Sequence, residues 1–400
     1  MEQELISKKI AIVGCGAAGG MVSVLLAKNP CVEVFAFDLK QPFSTLLPTG
    51  GGRCNLTYDE SDVREFVRNY PRGEKFLLSV FSRFNQQKTR QLFKDLGIKT
   101  YVQEDKRVFP VSNSSKKTIE QLQKHLESSN FKFIKEKVLS INKQDDTFVL
   151  KTENSTYKFD VVVLATGGKG NGCEIAKSLG HRIIEQKPSL CSLDILEKEF
   201  YSLSGLSFKD VEASIKIGKN KVFVNGDLLF AHNFITGPCV FKISALTAYE
   251  NFDDKAPLEI TFKLVKNTQE QMENYLKNNS KKTVKNAFSK FIPERYISIV
   301  LTKNKIPLDK QVAQLKKIEK DILINSLLEL KLHAIKRVKD SEIVMAGGVD
   351  LKEIESKTME SKLIKGLYFA GEMIDIDAFT GGFNLQNCWS SAYIVVQNFN

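Results

Sequence analysis

Three glycines near the N-terminus, Gly14, Gly16 and Gly19, follow the short apolar run Lys9–Val13 and precede a helical pattern. In a strand–turn–helix unit this spacing allows a tight turn, close approach of the backbone to a pyrophosphate, and close packing of the helix on the strand. The helix N-terminus directs its N–H groups and dipole at the phosphates. Asp38 ends a second apolar strand, where a carboxylate can accept hydrogen bonds from a ribose. We therefore predict dinucleotide binding, against the alternative of a purely structural turn.

The later parts of the chain favour FAD over NAD as the dinucleotide. NAD domains continue with further βα units, whereas this chain reaches a three-stranded stretch and then the buried-strand pattern DVVVLATGG at 160–168. A similar pattern, GLYFAGE, returns at 366–372. By fold-level analogy, this pair is the layout of FAD domains in the glutathione-reductase-like superfamily. Glu372 would then accept hydrogen bonds from ribityl hydroxyls, or it is an ordinary surface acid.

The segment Gly381-Gly382-Phe383-Asn384 opens the last helical pattern of the chain. We expect the N-terminus of that helix to point at the N1–C2 edge of a flavin. Reduced flavin carries negative charge at this edge, and the helix dipole would stabilise it. The alternative is that the two glycines form a plain turn.

The segment GGGRCN, residues 50–55, is the most unusual in the chain. Three glycines allow the backbone to approach a flat ring closely. Arg53 could hold an anion or the flavin. Reduction of a C=C bond by hydride needs a proton donor at the other carbon, and we predict that Cys54 is this catalytic residue. The alternative is that Cys54 is a small packing residue.

These segments give the predicted cofactor contacts, which are Gly14, Gly16, Ala17, Ala18, Gly19, Asp38, Leu39, Gly51, Gly52, Arg53, Cys54, Asn55, Val138, Ala165, Thr166, Gly167, Gly371, Glu372, Gly382, Phe383, Asn384 and Leu385. His232 either faces the active site or is a structural histidine. The glycines of GKGNG at 168–172 could suggest a second dinucleotide loop, but the preceding strand already belongs to the FAD domain. No separate NAD(P)H domain is evident.

Composition excludes several classes of protein. The 400 residues are 42% hydrophobic and 26% charged, typical of a soluble enzyme. No apolar run approaches the roughly 20 residues of a membrane helix, and the N-terminus lacks a signal-peptide pattern, so we expect a cytoplasmic protein. The seven cysteines contain no CxxC pair, and the four histidines are scattered, which argues against disulfides and metal sites. The net charge of +11 indicates either an anionic partner or a lysine-rich solvated surface.

The order of the elements predicts an α/β fold interrupted by a long insertion. We assign residues 1–189 and 345–400 to an FAD-binding Rossmann-like domain of the glutathione-reductase type. Residues 190–263 and 333–344 form an inserted β-rich substrate domain, and 264–332 form a helical subdomain. Within the first domain we expect one helical region over 74–96 and three strands over 131–159.

Together these motifs resemble the BaiN/RdsA family of NAD(P)/FAD-dependent oxidoreductases. The resemblance rests on GCGAAGG, GGGRCN and the closing GLYFAGEMIDIDAFTGGFNLQNCWSSAY. Between them lie LATGG, LSGLS at 203–207, LFAHNFITGP at 229–238 and MAGGV at 345–349. The similarity covers nearly the whole chain, although the loop after LATGG is shorter than is usual in the family.

The resemblance implies flavin-dependent chemistry at a C=C bond, with NAD(P)H as transient reductant. One branch of the family resembles ribosomal RNA dihydrouridine synthases, and another is linked to steroid-type small molecules. The lysines of 277–290, 303–320 and 331–339 favour the RNA branch and uridine in 23S rRNA as substrate, with Lys336 and Arg337 holding phosphate. The alternatives are a reductase of a free small-molecule enone and a non-enzymatic, FAD-bearing RNA-binding factor.

Overall fold

The computed structural model describes residues 7–399. The chain divides into two compact units. The first unit runs up to Lys187 and resumes at Val344, and the second unit is Pro188–Ile343.

A five-stranded parallel sheet forms the centre of the first unit, with strand order β19-β10-β1-β2-β6. Its strands are β1 (Lys8–Val13), β2 (Val32–Phe37), β6 (Phe131–Ile134), β10 (Val161–Leu164) and β19 (Leu367–Phe369). Strand β10 is buried at every position, as expected for a parallel strand covered on both faces. The last strand of the chain pairs beside the strand that ends in the ATGG turn, so both ends of the chain build one sheet.

Seven helices belong to the first unit: α1 (Ala17–Leu26), α2 (Val63–Val67), α3 (Glu74–Arg83), α4 (Gln86–Asp95), α5 (Ser115–Lys124), α6 (Gly172–Ser178) and α12 (Phe383–Val396). Helix α1 packs against α12. The single helical region expected over 74–96 is two helices, because the Asn85 side chain accepts a hydrogen bond from Lys88 N and caps the second one.

Smaller sheets complete the first unit. Strands β3 (Thr57–Tyr58), β4 (Thr100–Val102) and β5 (Arg107–Pro110) form one sheet, and β7 (Val138–Gln144), β8 (Thr147–Thr152) and β9 (Thr156–Phe159) form another. Strands β11 (Ile183–Ser189) and β18 (Val344–Val349) pair with each other. The region 131–159 therefore holds four strands rather than three, because β6 joins the central sheet.

Six antiparallel strands close into a barrel in the second unit, in the order β12-β15-β14-β13-β16-β17. They are β12 (Leu193–Ile195), β13 (Ser207–Ile217), β14 (Asn220–Phe230), β15 (Ile235–Thr236), β16 (Leu258–Lys263) and β17 (Leu330–Arg337). Alternate side chains of β16 and β17 are buried, which is the pattern of a sheet with one solvated face.

Five helices accompany the barrel: α7 (Pro238–Leu246), α8 (Gln269–Asn278), α9 (Val284–Phe288), α10 (Glu294–Lys303) and α11 (Lys317–Leu328). The last four lie in the region expected to be helical, and their apolar faces share one core with the barrel. The fold class is thus confirmed: a Rossmann-like α/β unit, a β-rich insertion and a group of helices.

Two findings concern what the described chain lacks. Between residues 7 and 399, no helix combines the length and apolar character that crossing a membrane requires. Over the same residues, no group of three or more His, Cys, Asp or Glu side chains is arranged to hold a metal ion.

Candidate functional site

In the glycine turn after β1, two of the three glycines have no room for a side chain. Gly14 has a φ of +91°, and a Cβ there would lie 2.5 Å from the Ala165 carbonyl oxygen. A Cβ on Gly19 would lie 1.9 Å from the Gly14 carbonyl oxygen. Gly16 instead faces the Thr45 side chain, 3.1 Å from its would-be Cβ. The turn therefore brings β1, the end of β10 and the start of α1 into direct backbone contact.

Asp38 connects the end of β2 to this glycine turn. Its Oδ2 accepts a hydrogen bond from Cys15 N at 2.7 Å, and its Oδ1 accepts one from Lys40 N at 3.0 Å. Each carboxylate oxygen has a second lone pair, so the side chain can still accept from ribose hydroxyls. The neighbouring Leu39 is 56% exposed and presents an apolar surface beside the carboxylate.

The segment 50–55 is a compact run of left-handed backbone. Gly50, Gly51 and Gly52 have φ values of +58°, +68° and +80°, and Cys54 has +65°. A Cβ on Gly50 would lie 2.8 Å from Asn55 N, so packing excludes a side chain there. Gly51 and Gly52, in contrast, face open space within 4 Å of their would-be Cβ atoms. The segment thus presents bare backbone that a flat ligand can approach.

Arg53 is held in place at one end only. Its Nε donates to the Gly50 carbonyl at 3.2 Å, and its guanidinium carbon lies 4.2 Å from the centre of the Phe109 ring. Within residues 7–399 its terminal nitrogens have no hydrogen-bond or ion-pair partner. A half-buried guanidinium with a fixed stem and unpaired N–H groups can receive a carbonyl oxygen or an anion.

Cys54 lies beside this arginine but is fully shielded from solvent. Burial raises the pKa of its thiol to about 12, and a hydrogen bond with the Thr49 side chain only partly offsets this. The side chain is therefore a neutral thiol, which can donate a proton but is not a nucleophile.

Glu372 follows β19, where the sequence predicted a carboxylate. Desolvation raises its pKa to about 7, and the negative charge of Asp377 adds to the shift. A hydrogen bond from the backbone N–H of Gly168 and the charge of Lys169 act in the opposite direction. The preceding Gly371 is fixed by the Ser391 hydroxyl, which accepts from Gly371 N at 2.9 Å.

The side chains at the N-terminus of α12 are engaged in contacts within the first unit. Phe383 packs among Tyr58, Phe66 and Tyr70. The Asn384 side chain both donates to and accepts from the Ala378 backbone, at 2.9 Å in each direction. The backbone N–H groups of the first helical turn, residues 383–385, stay available to a ligand, and that of Leu385 is among them.

Gly382 caps the N-terminus of helix α12 and has a φ of +98°. A Cβ there would lie 2.6 Å from the Thr57 carbonyl oxygen, so the helix starts directly against β3.

The turn after β10 is also packed closely. Ala165 N donates to the Val13 carbonyl, and the Thr166 hydroxyl donates to Met373 Sδ. Gly167, with a φ of +70°, faces open space, whereas side chains at Gly170 and Gly172 would collide with Thr166. The latter two glycines therefore have a packing role, which accounts for GKGNG without a second dinucleotide loop.

Val138, at the start of β7, is buried.

The first unit contains buried acceptor atoms that find no partner within residues 7–399. They are Asn55 Oδ1, Glu136 Oε2, Asp375 Oδ1, Asn387 Oδ1 and the hydroxyl oxygen of Ser115. Buried acceptors are normally satisfied, so such atoms indicate a ligand or ordered water that donates hydrogen bonds. Of these, only Asn55 was predicted from the sequence. The others carry no spacing signal, because single acidic, amide and hydroxyl residues are common after strands and within helices.

Asp377 is a further residue that the sequence did not single out. It is fully buried and forms a bidentate ion pair with Arg72, which lies before α3. Because the pair joins segments about 300 residues apart, no local pattern could have indicated it.

The residues predicted to hold phosphate belong to the second unit. Lys336 is exposed and lies 3.3 Å from Asp194. The Arg337 guanidinium donates to the Thr247 and Glu250 carbonyls and stacks 4.6 Å from the Phe252 ring. Arg337 is thus committed to structure, which leaves Lys336 as the more available of the two. His232 is exposed on the loop before β15.

The raised pKa of Glu372 has a measurable consequence for stability. Its folded pKa of about 7 exceeds the ordinary value of 4.5, so the folded chain binds more protons between these pH values. The free energy of unfolding therefore falls as the pH rises through this window. Glutamine cannot ionise, so we expect Glu372→Gln to gain thermal stability relative to wild type between about pH 5 and about pH 8.

Thermal unfolding of the two proteins at both pH values tests this expectation. Glu104→Gln, at an exposed site, is the matched control and should show no such trend. If the difference in thermal stability between Glu372→Gln and wild type is the same at both pH values, the raised pKa is contradicted.

The chain was compared with known proteins. The family model described as "HI0933-like protein Rossmann domain" matches residues 8–398. A ribosomal RNA dihydrouridine synthase of Escherichia coli is 27% identical, over 97% of this chain and 96% of the relative. The Haemophilus influenzae protein of the same name is 28% identical, over 96% of each chain. A 3-dehydro-bile acid delta(4,6)-reductase of Clostridium scindens is 26% identical, over 96% of this chain and 97% of the relative.

The family match covers almost the entire chain, and it includes the glycine turn, the 50–55 segment and the start of α12. The three relatives are matched along nearly their full length. The chain is a flavin-dependent oxidoreductase and belongs to the HI0933-like family.

Proposed function

We propose that this enzyme binds FAD and, with NAD(P)H as reductant, reduces uridine to dihydrouridine in 23S ribosomal RNA. The observation that carries the proposal is the full-length similarity to two ribosomal RNA dihydrouridine synthases. The net charge of +11 suits a polyanionic substrate. A ribosomal substrate would also mean that the enzyme acts in the cytoplasm.

The first unit offers a set of groups that suits each part of FAD. The pyrophosphate would lie on the glycine turn at the N-terminus of α1, and the adenosine ribose beside Asp38. The ribityl chain would lie near Glu372, and the ring system against the bare backbone of Gly51 and Gly52 and the first N–H groups of α12. When bound, FAD supplies two-electron hydride chemistry that no amino-acid side chain provides.

The unpartnered acceptors support this fit. Asn55, Glu136, Asp375 and Asn387 each leave a buried side-chain oxygen without a donor. FAD carries hydroxyl groups on its ribityl chain and ribose and an N–H on its ring, all of which are donors. A hydroxyl-rich ligand would satisfy groups whose burial is otherwise unfavourable by about 1–3 kcal/mol each.

Two neighbouring residues would then act on the substrate. In uracil the C5=C6 bond is conjugated to the C4 carbonyl, so hydride addition at C6 moves negative charge toward that oxygen. The unpaired N–H groups of Arg53 would stabilise this charge, as donors aimed at a developing oxyanion do. The neutral thiol of Cys54 would supply the proton to C5. Overall, one NAD(P)H and one proton are consumed for each dihydrouridine formed.

A second candidate function is reduction of a free small-molecule enone. The relative named as a bile acid reductase supports it, at nearly the same identity as the RNA-modifying relatives. An enone also has a C=C bond conjugated to a carbonyl, so Arg53 and Cys54 would have the same roles. The two candidates differ in substrate and not in chemistry.

The deciding experiment is nucleoside analysis of 23S rRNA from a strain that lacks this enzyme. We expect dihydrouridine to be lost from one site and restored by a plasmid copy of the wild-type chain. A copy that carries Gly14→Ala, which should not hold FAD, is the negative control. Unchanged dihydrouridine on deletion would overturn the RNA substrate and favour the enone reductase.

A further inference from the structure

An open groove of about 520 Å³ lies on the outer face of the barrel in the second unit. A second depression of about 360 Å³ shares Ser214, Lys221, Thr261 and Glu329 with it. Thr261 is the direct partner of Ser214 across β13 and β16, and Ser214 is the partner of Phe223 on β14. Small hydroxyl side chains thus form the floor that the two depressions share. We call the two depressions together the barrel groove.

Phe223 stands at one side of the barrel groove. Its side chain is 58% exposed, whereas its neighbour in sequence, Val224, points into the core at 7%. Tyr249, at 42%, is the other strongly exposed aromatic side chain among residues 7–399. An aromatic ring that faces water on a rigid strand contributes little to the core. It can, however, provide a flat surface on which a base stacks.

Three exposed lysines lie close to the Phe223 ring and the floor of the barrel groove. Lys216, Lys219 and Lys221 lie on the hairpin that joins β13 and β14, and no ion pair involves them within residues 7–399. Lys221 Nζ lies 5.3 Å from the centre of the Phe223 ring. Exposed lysines beside an aromatic platform are an arrangement with which proteins bind single-stranded nucleic acid.

The barrel groove also holds carboxylates, and part of their charge is compensated. Glu259 lies 3.4 Å from Lys331 and 3.6 Å from His333. Glu212 is opposite Lys263 in the register of β13 and β16. Glu329 lines both depressions and forms no ion pair within residues 7–399. The three hairpin lysines outnumber this carboxylate, so an excess of positive charge remains at the end of the groove beside Phe223.

We propose that the barrel groove binds a single-stranded segment of the RNA substrate, with a base stacked on Phe223 and phosphates on the three hairpin lysines. This inference rests on the proposed function, and it names a surface through which the second unit recognises RNA. Stacking is tolerant of sequence, so the groove would add affinity and leave the choice of nucleotide to the active site.

Binding of a fluorescein-labelled oligouridylate of about 20 nucleotides to the FAD-loaded enzyme tests the proposal. We expect Phe223→Ala to weaken binding by about fivefold or more, the lower range for loss of one stacked base. Tyr249→Ala is the matched control, because it removes the other exposed aromatic ring but does not line the groove. Its affinity should equal that of wild type. Flavin absorbance and thermal unfolding verify that each variant is folded.

The lysines are tested by salt dependence. Replacement of Lys216, Lys219 and Lys221 by serine should lower the slope of log affinity against log salt by about 2, since each phosphate contact on a single strand contributes about 0.7. A matched variant with serine at Lys151, Lys158 and Lys177, which are exposed in the first unit and do not line the groove, should keep most of the wild-type slope.

The outcomes separate this proposal from the proposed function. Wild-type binding with unchanged affinity in Phe223→Ala and an unchanged slope in the lysine variant would overturn the barrel groove and leave the RNA substrate standing. Absence of RNA binding by the wild type, together with unchanged dihydrouridine in the deletion strain, would overturn both.

Discussion

Gly14→Ala should abolish FAD binding and destabilise the first unit by about 2–6 kcal/mol. The added Cβ would lie 2.5 Å from the Ala165 carbonyl oxygen and 2.6 Å from Thr166 Cα, and both are backbone atoms that cannot rotate away. The turn after β1 and the turn after β10 would have to separate. Positive φ strain on alanine and the overlap each contribute about 1–3 kcal/mol. We expect the purified variant to lack flavin absorbance and to unfold at a lower denaturant concentration.

Gly180 provides a matched control for the conformational part of this effect. Its φ of +95° is close to the +91° of Gly14, but a Cβ there meets nothing within 4 Å. Gly180→Ala should therefore cost only the strain of a left-handed alanine, about 1–2 kcal/mol, and should retain FAD. Equal losses in the two variants would show that backbone strain, and not the contact with Ala165, accounts for the effect.

The contrast between these glycines illustrates what sequence patterns can predict. The spacing of Gly14, Gly16 and Gly19 identified the turn, because its function imposes a local rule on residues a few positions apart. The same spacing predicts that the backbone at Gly16 approaches a pyrophosphate. In the structure, Gly16 also faces the Thr45 side chain. A motif gives the type of turn, but it does not indicate which distant side chain fills the space beside each glycine.

Contacts between distant segments were beyond local patterns. The return of the chain to the central sheet at β19 could be predicted, because a buried apolar strand followed by Gly-Glu is a recognisable unit. The ion pair of Arg72 with Asp377 and the unpartnered oxygen of Glu136 depend on the tertiary structure. Likewise, the pairing of β6 with β2 in the central sheet, which adds a fourth strand to the three expected over 131–159, is a contact between distant segments.

Side chains near the proposed ring site show the same limit. Phe383 and Asn384 were predicted to contact the cofactor at the helix N-terminus, and their side chains are engaged with the aromatic core and with Ala378. The sequence located the helix N-terminus, whereas these side-chain contacts depend on the tertiary structure. Conversely, the sequence left two ligands open for Arg53, an anion or the flavin, and its terminal nitrogens, unpaired within residues 7–399, are available to either.

Arg53→Met should lower kcat by about 100- to 1000-fold while FAD stays bound. The guanidinium is fixed by the Gly50 carbonyl and the Phe109 ring, and its terminal N–H groups are unpaired within residues 7–399. Removing one donor to a developing oxyanion typically costs this much. Methionine keeps an unbranched apolar stem against Phe109, so the loop should keep its shape. Dihydrouridine formation on unmodified 23S rRNA, with flavin absorbance recorded in parallel, provides the measurement.

Arg107 is the matched control, because its guanidinium also lies over the Phe109 ring, at 5.6 Å. Unlike Arg53, it is paired, with Asp105 at 2.7 Å, and belongs to strand β5. Arg107→Met should therefore leave kcat within about twofold of wild type. If both variants lose activity equally, the arginines act by supporting Phe109, and the proposed action of Arg53 on a carbonyl is wrong.

Combination with Cys54→Ala sharpens the argument about Arg53. If Cys54 delivers the proton while Arg53 stabilises charge on the adjacent carbonyl, both residues act on one transition state. Their losses should then be less than multiplicative in the double variant, as for other groups that function as a unit. If Cys54 is only a packing residue, Cys54→Ala alone should retain nearly full kcat, and water or another side chain must supply the proton. Because the thiol stays neutral until about pH 12, its removal should not shift the pH profile near neutrality.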